Sequence, residues 1–375
     1  MAGQLIKRAE KVWLIRVYDG RDGSGKRRYI NETFHGLKKA AGARLVEILN
    51  SQNLGTYTRP TKGTLREYLD EWLDGSAKIK VSPKTLEGYK WQLSQVPARL
   101  GDRRLLNIRD GDIQQFYSDL SAKGFSPKTV RHIHTSLRAA LQKAVETRLL
   151  ARNPCDTADL PPLEHREMQT LNTNDAARLL AAAKNDKLGI VFAFNLLTGC
   201  RPSETFALKW ADIDFDANIV HVQRTLQWNR GGGYYFDKPK TKNSRRYVPL
   251  PAGLVEQLRE HRVRQAESLF KLGVRSELVF TSETGGPLHW QNVVKRHFKK
   301  VLEAAQLPAD FRFYSLRHSC ATLLLKDHLS AKIVSARLGH NSAAFTLDTY
   351  VDCQPDMQNE AAESFQRRFY AEGGR

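Results

Sequence analysis

Tyr314-Ser315-Leu316-Arg317-His318, then Leu338-Gly339-His340-Asn341, then Thr346-Leu347-Asp348-Thr349-Tyr350 are the stretches on which the reading of this chain turns. The first opens a helix that continues through Ala321, Leu324 and Leu325, which sets Arg317 one turn beyond Tyr314 on the same face. His318 follows at a helical position that should point it elsewhere. Singly, each residue has an ordinary use. A tyrosine packs, and a histidine after Leu-Gly caps a helix at the surface. Order and company give the three segments their weight.

Upstream lie two more segments of the same kind. Thr198-Gly199-Cys200-Arg201-Pro202-Ser203-Glu204 ends one apolar helix and opens another, placing Arg201 in a rigid, partly buried position with Glu204 one turn on. A guanidinium so held can fork onto a phosphate, oriented by the neighbouring carboxylate. A plain helix-start salt bridge is the competing explanation of the segment by itself. Lys238-Pro239-Lys240-Thr241-Lys242-Asn243-Ser244-Arg245-Arg246 sits between two predicted strands and reads as a basic hairpin tip able to reach into a groove. Most charge runs of this sort are merely solvated.

The whole chain favours a polyanionic partner. Its 375 residues carry 59 Lys and Arg against 40 Asp and Glu, a formal net charge of +19. The excess is spread along the chain: residues 1 to 59 hold 12 basic and 5 acidic side chains, 60 to 160 hold 17 and 12, and 161 to 375 hold 30 and 23. A basic tail on a neutral enzyme would concentrate it at one end. Cys155, Cys200, Cys320 and Cys353 are scattered without a metal-ligand spacing and read as reduced thiols. With neither a signal-peptide h-region nor a membrane-length apolar run, the expected location is the cytoplasm, associated with the nucleoid of a bacterial host.

The expected fold class is α+β and mainly α, in three parts. Residues 1–57 read as a three-stranded sheet plus a helix: Val12 to Tyr18 and Lys26 to Phe34 are strand-like, and Leu37, Ala41, Leu45 and Ile48 form one apolar helical stripe over Gly36 to Asn50. Residues 61–160 read as helices only. Thr64 to Leu73 comes first, and Ser82-Pro83 and Ser126-Pro127 each place an N-cap hydroxyl before a proline suited to the first helical position. Residues 168–375 are mostly helical, with a small antiparallel sheet from Asp212 to Phe215, Ile219 to Gln223, Tyr234 to Phe236 and Arg245 to Leu250.

The five segments, in this order, resemble the tyrosine recombinase or phage integrase family, large members with an N-terminal arm-type DNA-binding domain included. That family has a Thr-Gly-x-Arg-x-x-Glu box, a hairpin lysine, a His-x-x-Arg box, a Leu-Gly-His box and a tyrosine about ten residues later. The resemblance implies an arm-type domain at 1–57, a core-binding helical domain at 61–160 and a catalytic domain at 168–375. It implies double-stranded DNA attachment sites as substrate, a homotetramer on DNA, an accessory DNA-bending or directionality factor, and no membrane. It also implies Tyr350 as the nucleophile, forming a 3′-phosphotyrosine, Arg201 and Arg317 on the scissile phosphate, Glu204 orienting Arg201, and His340 as a hydrogen-bond donor. Lys240 matches the acid that protonates the leaving 5′-oxygen, with Lys242 two residues on. Retained bond energy implies neither ATP nor a metal cofactor. Tyr314 departs from the family's histidine; a phenol can hydrogen-bond there but is a poor base, and His318 is the nearby candidate to compensate. Three alternatives stay open: a weakened DNA-binding protein of the same fold, a chromosome-dimer-resolving recombinase, and a type IB topoisomerase. From Gln354 to Tyr370 a helix with Met357, Ala361, Phe365 and Phe369 near one stripe is expected to serve either protomer exchange or packing on its own domain.

Overall fold

The computed structural model describes residues 3–350, except 22, 55–56, 59–62, 164–167, 230–231 and 240–243, and then 363 and 365–370. Two compact units divide it, residues 1–165 and 166–375.

The first unit contains two separate hydrophobic clusters. Strands β1 (Gln4–Ala9), β2 (Val12–Arg21) and β3 (Arg27–His35) form an antiparallel meander, and helix α1 (Lys38–Asn53) covers one face through Ala41 and Ile48. Ile15, Val17, Ile30, Ile48 and Tyr57 close that small core. Leu37 is not part of the stripe as expected. It occupies the N-cap position of α1 and stays exposed.

The second cluster is all-helical, running from Leu65 to Cys155. Its helices are α2 (Leu65–Trp72), α3 (Pro83–Ser94), α4 (Asp110–Ala122) and α5 (Pro127–Glu146). Thr64 and Glu67 form a reciprocal capping box at the start of α2. Ser82 and Ser126 cap α3 and α5 by accepting from the backbone N–H of Thr85 and Thr129, each with proline first in the helix.

In the second unit α6 (Thr173–Ala183) leads to α7 (Gly189–Thr198), which is buried on nearly every side and forms the centre of a core extending from Leu171 to Leu316. A short helix α8 (Pro202–Thr205) follows. Two small sheets form where one was expected. Strands β4 (Ile213–Asp214), β5 (Ile219–Val222) and β8 (Arg246–Pro249) make one; β6 (Thr225–Trp228), which the sequence reading missed, pairs with β7 (Tyr234–Asp237) to make the other. This corrects the basic run 238–246. Its flanking strands do not pair with each other, since β7 bonds β6 and β8 bonds β5, and residues 240–243 of the run lie outside the described residues.

Helix α9 (Ala252–Lys271) packs against α7, a helical run follows over 290–304, and three helices complete the site region: α10 (Ser315–Lys326), α11 (Ala331–Leu338) and α12 (Ala343–Tyr350). Of the expected helix from Gln354 to Tyr370, residues 354–362 lie outside the described residues. Gln366–Tyr370 forms one π-helical turn, with Phe365 and Phe369 exposed and stacked at 6.0 Å. Among the described residues no helix is long and apolar enough to cross a membrane.

Candidate active site

Two helix ends meet at this site, and both end on a left-handed glycine. Gly199 closes α7 at φ 67° and Gly339 closes α11 at φ 68°. At Gly199 space matters as well as backbone: a Cβ there would lie 2.4 Å from Leu338 Cδ2 and 3.2 Å from Cys320 Sγ. Only glycine lets the two chains approach this closely.

Three guanidiniums converge on the end of α11. Arg246 Nε donates to the carbonyl of Arg337 at 2.6 Å, Arg317 Nη2 to that of Leu338 at 2.8 Å, and Arg201 Nη2 to that of Gly339 at 3.4 Å. Helix C-terminal carbonyls lack intrahelical donors and carry the negative end of the helix dipole, so cations settle there. Arg317 also donates Nη1 to the carbonyl of Gly199 at 2.6 Å and is only 2% exposed. It straddles both helix ends.

Among the described residues, Glu204 is the carboxylate that pairs with these cations. Its Oε1 accepts from Arg201 Nη1 at 2.8 Å, its Oε2 from the Arg201 backbone N–H at 2.8 Å, and Arg246 reaches both oxygens at 3.3 and 3.0 Å. Proline at 202 begins α8 and holds Arg201 extended just before it, which puts Glu204 in range. Burial pushes the Glu204 carboxyl upward; the charges and hydrogen bonds of Arg246, then Arg201, outweigh that and hold it below the ordinary carboxylate range. Removing it with Glu204→Ala leaves two facing guanidiniums uncompensated, a loss of about 3 to 5 kcal/mol that urea unfolding will read. A depressed carboxyl stabilises the fold above its unfolded pKa of about 4.3 and loses that contribution as pH falls through the folded value, so Glu204→Gln should flatten the acid limb of stability against pH. An unchanged limb would contradict this.

Tyr350, at the end of α12, is 1% exposed and packs with Ala321, Val334 and Leu338. Its hydroxyl lies 2.9 Å from His318 Nδ1. Burial pushes the phenol up to about 12, against the opposing pull of Arg317. His340 lies almost parallel to the Tyr350 ring, 9° apart with centroids at 6.2 Å, and its Nδ1 is 2.8 Å from Thr346 Oγ1. Burial first, then Arg317, Arg201 and Arg246, push His340 down to about 4. His318 is likewise pushed to about 4, by burial and then Arg317. Both imidazoles are neutral at pH 7.

The structure therefore brings together Arg201, Glu204, Arg317, His340 and Tyr350, all expected from the sequence. Tyr314 stands at the edge, 44% exposed, as the N-cap residue of α10. Its ring meets His318 edge-on at 5.1 Å, one full turn along, so His318 joins Arg317 as its neighbour on that face. His318 thus points toward the site, contrary to the sequence reading. Lys240 and Lys242 lie outside the described residues.

Arg246 was quoted in the basic run without a role. A signal existed: in β8 it shares a face with buried Val248, two residues on, which marks it as turned inward. For His318 the signal was its spacing of four from Tyr314.

Among known proteins, residues 163–357 match the family described as "Phage integrase family" and residues 64–121 the "Phage integrase, N-terminal SAM-like domain". The tyrosine recombinase XerC-like protein of Caldanaerobacter subterraneus subsp. tengcongensis is 30% identical, over 97% of this chain and 98% of its own. The ICEBs1 integrase of Bacillus subtilis is 29% identical over 68% and 70%. The same fold occurs in the Tn1549 transposon integrase solved with a circular intermediate DNA, at a TM-score of 0.70 and 21% identity, covering 81% of this chain and all of that one. It occurs again in the lambda integrase tetramer bound to a Holliday junction, at 0.58 and 19%, covering 92% and 94%. With a family match spanning the site and identity sustained from end to end, the chain belongs to the phage integrase family and is a tyrosine-type site-specific recombinase of the kind that mobile elements carry.

Proposed function

We propose that this chain cuts and rejoins duplex DNA at the attachment sites of a mobile element, with Tyr350 as nucleophile and Arg201 and Arg317 on the scissile phosphate. One observation carries the reading: among the described residues, Arg201 and Arg246 share the Glu204 carboxylate while Arg317 sits beside them on backbone carbonyls, next to a tyrosine hydroxyl and a neutral imidazole. Among the described residues, that leaves more positive charge than the one carboxylate balances. A phosphodiester supplies the balance.

The chemistry follows from that charge. A phosphodiester repels nucleophiles, and attack adds charge on its non-bridging oxygens; preorganised guanidiniums counter both. Attack by the Tyr350 oxygen gives a 3′-phosphotyrosine and releases a 5′-oxygen, for which Lys240, or Lys242 beside it, supplies the proton. Glu204 holds Arg201 and Arg246 in place. With its Nδ1 engaged by Thr346, His340 turns Nε2–H toward the phosphate. Tyr314 donates from the rim.

Residues 1–57 act as the arm-binding domain, 61–160 as the core-binding domain and 168–375 as the catalytic domain. The basic excess in each part supports this, because each then contributes to phosphate contact. A tetramer on two duplexes, assisted by an accessory DNA-bending or directionality factor and working at the nucleoid, completes the assignment; the tetrameric state of the lambda fold neighbour supports it. The test is covalent trapping. Nicked duplexes tiled across the DNA that flanks the gene are incubated with the full chain and resolved under denaturing conditions. A recombinase leaves a denaturant-resistant protein–DNA adduct on at least one duplex. Mobility shifts without any adduct would reduce the chain to a binder.

A further inference from the structure

A buried phenol held at about 12 is a poor nucleophile until something takes its proton. Among the described residues, the hydroxyl of Tyr350 has one hydrogen-bond partner, His318 Nδ1 at 2.9 Å. The other side chains nearby are unsuited. Tyr314 is itself a phenol, a poor base. His340 has its Nδ1 on Thr346, its ring lies parallel to that of Tyr350 with centroids 6.2 Å apart, and among the described residues it makes no hydrogen bond to the hydroxyl. Arg317 and Arg201 are cations that hold their protons.

We propose that His318 is the general base of strand cleavage, taking the proton from the Tyr350 hydroxyl as its oxygen bonds to phosphorus and returning it when the strand is rejoined. The assignment rests on Tyr350 being the nucleophile. In the forward step the proton passes from Oη to Nδ1, the Oη–P bond forms, the P–O5′ bond breaks, and O5′ receives a proton from a separate acid, the lysine of the 238–246 run. Rejoining reverses each transfer, and the imidazolium returns its proton to Oη.

The geometry accounts for why His318 reaches the phenol. Residues 314 and 318 are one turn apart on α10, so the position one turn beyond Tyr314 faces α12 while Tyr314 itself stays at the rim. The groups facing His318 are Arg317 and Tyr314 on its own helix, Tyr350 on α12 and His340 in the turn after α11. With burial and Arg317 holding it neutral, Nδ1 has a lone pair to offer. With burial pushing the phenol up and the imidazole down, the phenol keeps its proton until attack begins. Transfer therefore accompanies bond formation, when the acidity of Oη rises steeply and the added negative charge on the phosphate stabilises the new imidazolium.

Single-turnover adduct formation by the full chain, on the tiled nicked duplexes, tests this with His318→Ala and His318→Gln. Each is also made with 3,5-difluorotyrosine in place of Tyr350, a more acidic phenol. Glutamine keeps an acceptor at the hydroxyl but cannot carry the proton. Both variants should be slower by about 100-fold or more, their rates should climb with pH where the parent is level, and the acidified phenol should restore most of the loss. A glutamine variant at the parental rate, or no rescue by difluorotyrosine, would overturn the base and leave Tyr350 as nucleophile. Failure of the nucleophile reading looks different: the unaltered chain forms no adduct, or Tyr350→Phe still forms one.

Discussion

Tyr350→Phe abolishes the covalent protein–DNA adduct completely while leaving duplex binding and the fold intact. The substitution deletes one oxygen. The ring keeps its packing against Ala321, Val334 and Leu338, and the lost hydrogen bond to His318 is of a kind that contributes about 0.5 to 1.5 kcal/mol. Two rival tyrosines are badly placed: Tyr314 is tethered at the rim by its place before α10, and Tyr247 is exposed on β8. A denaturing gel reads the adduct, and a mobility shift reads binding. An adduct surviving in the phenylalanine variant would place the nucleophile elsewhere.

Arg317→Lys cuts the rate of adduct formation by about 100- to 1000-fold, the scale of losing one preorganised oxyanion donor, although the charge is kept. The cause is geometric. Arg317 spends Nη1 on the carbonyl of Gly199 and Nη2 on that of Leu338 and, as a planar fork, still presents further N–H groups to a phosphate. An ammonium on a flexible stem cannot hold two helix ends and grip a third partner in a fixed direction. Arg317→Ala should be worse in a second respect, because it strands two buried carbonyls at about 1 to 3 kcal/mol each. Measuring thermal unfolding beside the cleavage rate separates the two losses. A lysine variant that is folded and cleaves at the parental rate would remove Arg317 from the chemistry.

Both results depend on how the site balances charge. Glu204 neutralises one cation's worth of the cluster and fixes the directions of Arg201 and Arg246, while the carbonyls at the end of α11 hold the three guanidiniums without cancelling their charge. Burial first, then Arg317 at both and Arg201 and Arg246 at His340, push His340 and His318 toward the neutral form. An arriving phosphate relieves that pressure, so the histidines gain basicity when the substrate is present.

Much of this was legible in the sequence, because many of its signals act within a turn or two of the chain. Ser82-Pro83 and Ser126-Pro127 mark helix starts through bonds three residues long. Thr198 to Glu204 marks a helix end, a glycine reversal and a new start for the same reason. The order of the five segments pointed to the family. Strand pairing was less legible: β6 through β8 are four residues each, too short for alternation to reveal which strand each one joins.

Tertiary structure alone decided which side chains meet. His318 and Tyr350 are 32 residues apart, Arg246 and Glu204 are 42, and Arg317 and Gly199 are 118. Local propensity carries no information over such separations. The packing of α7, α10, α11 and α12 brings those pairs within hydrogen-bonding range, and with them the aim of Arg246 and His318.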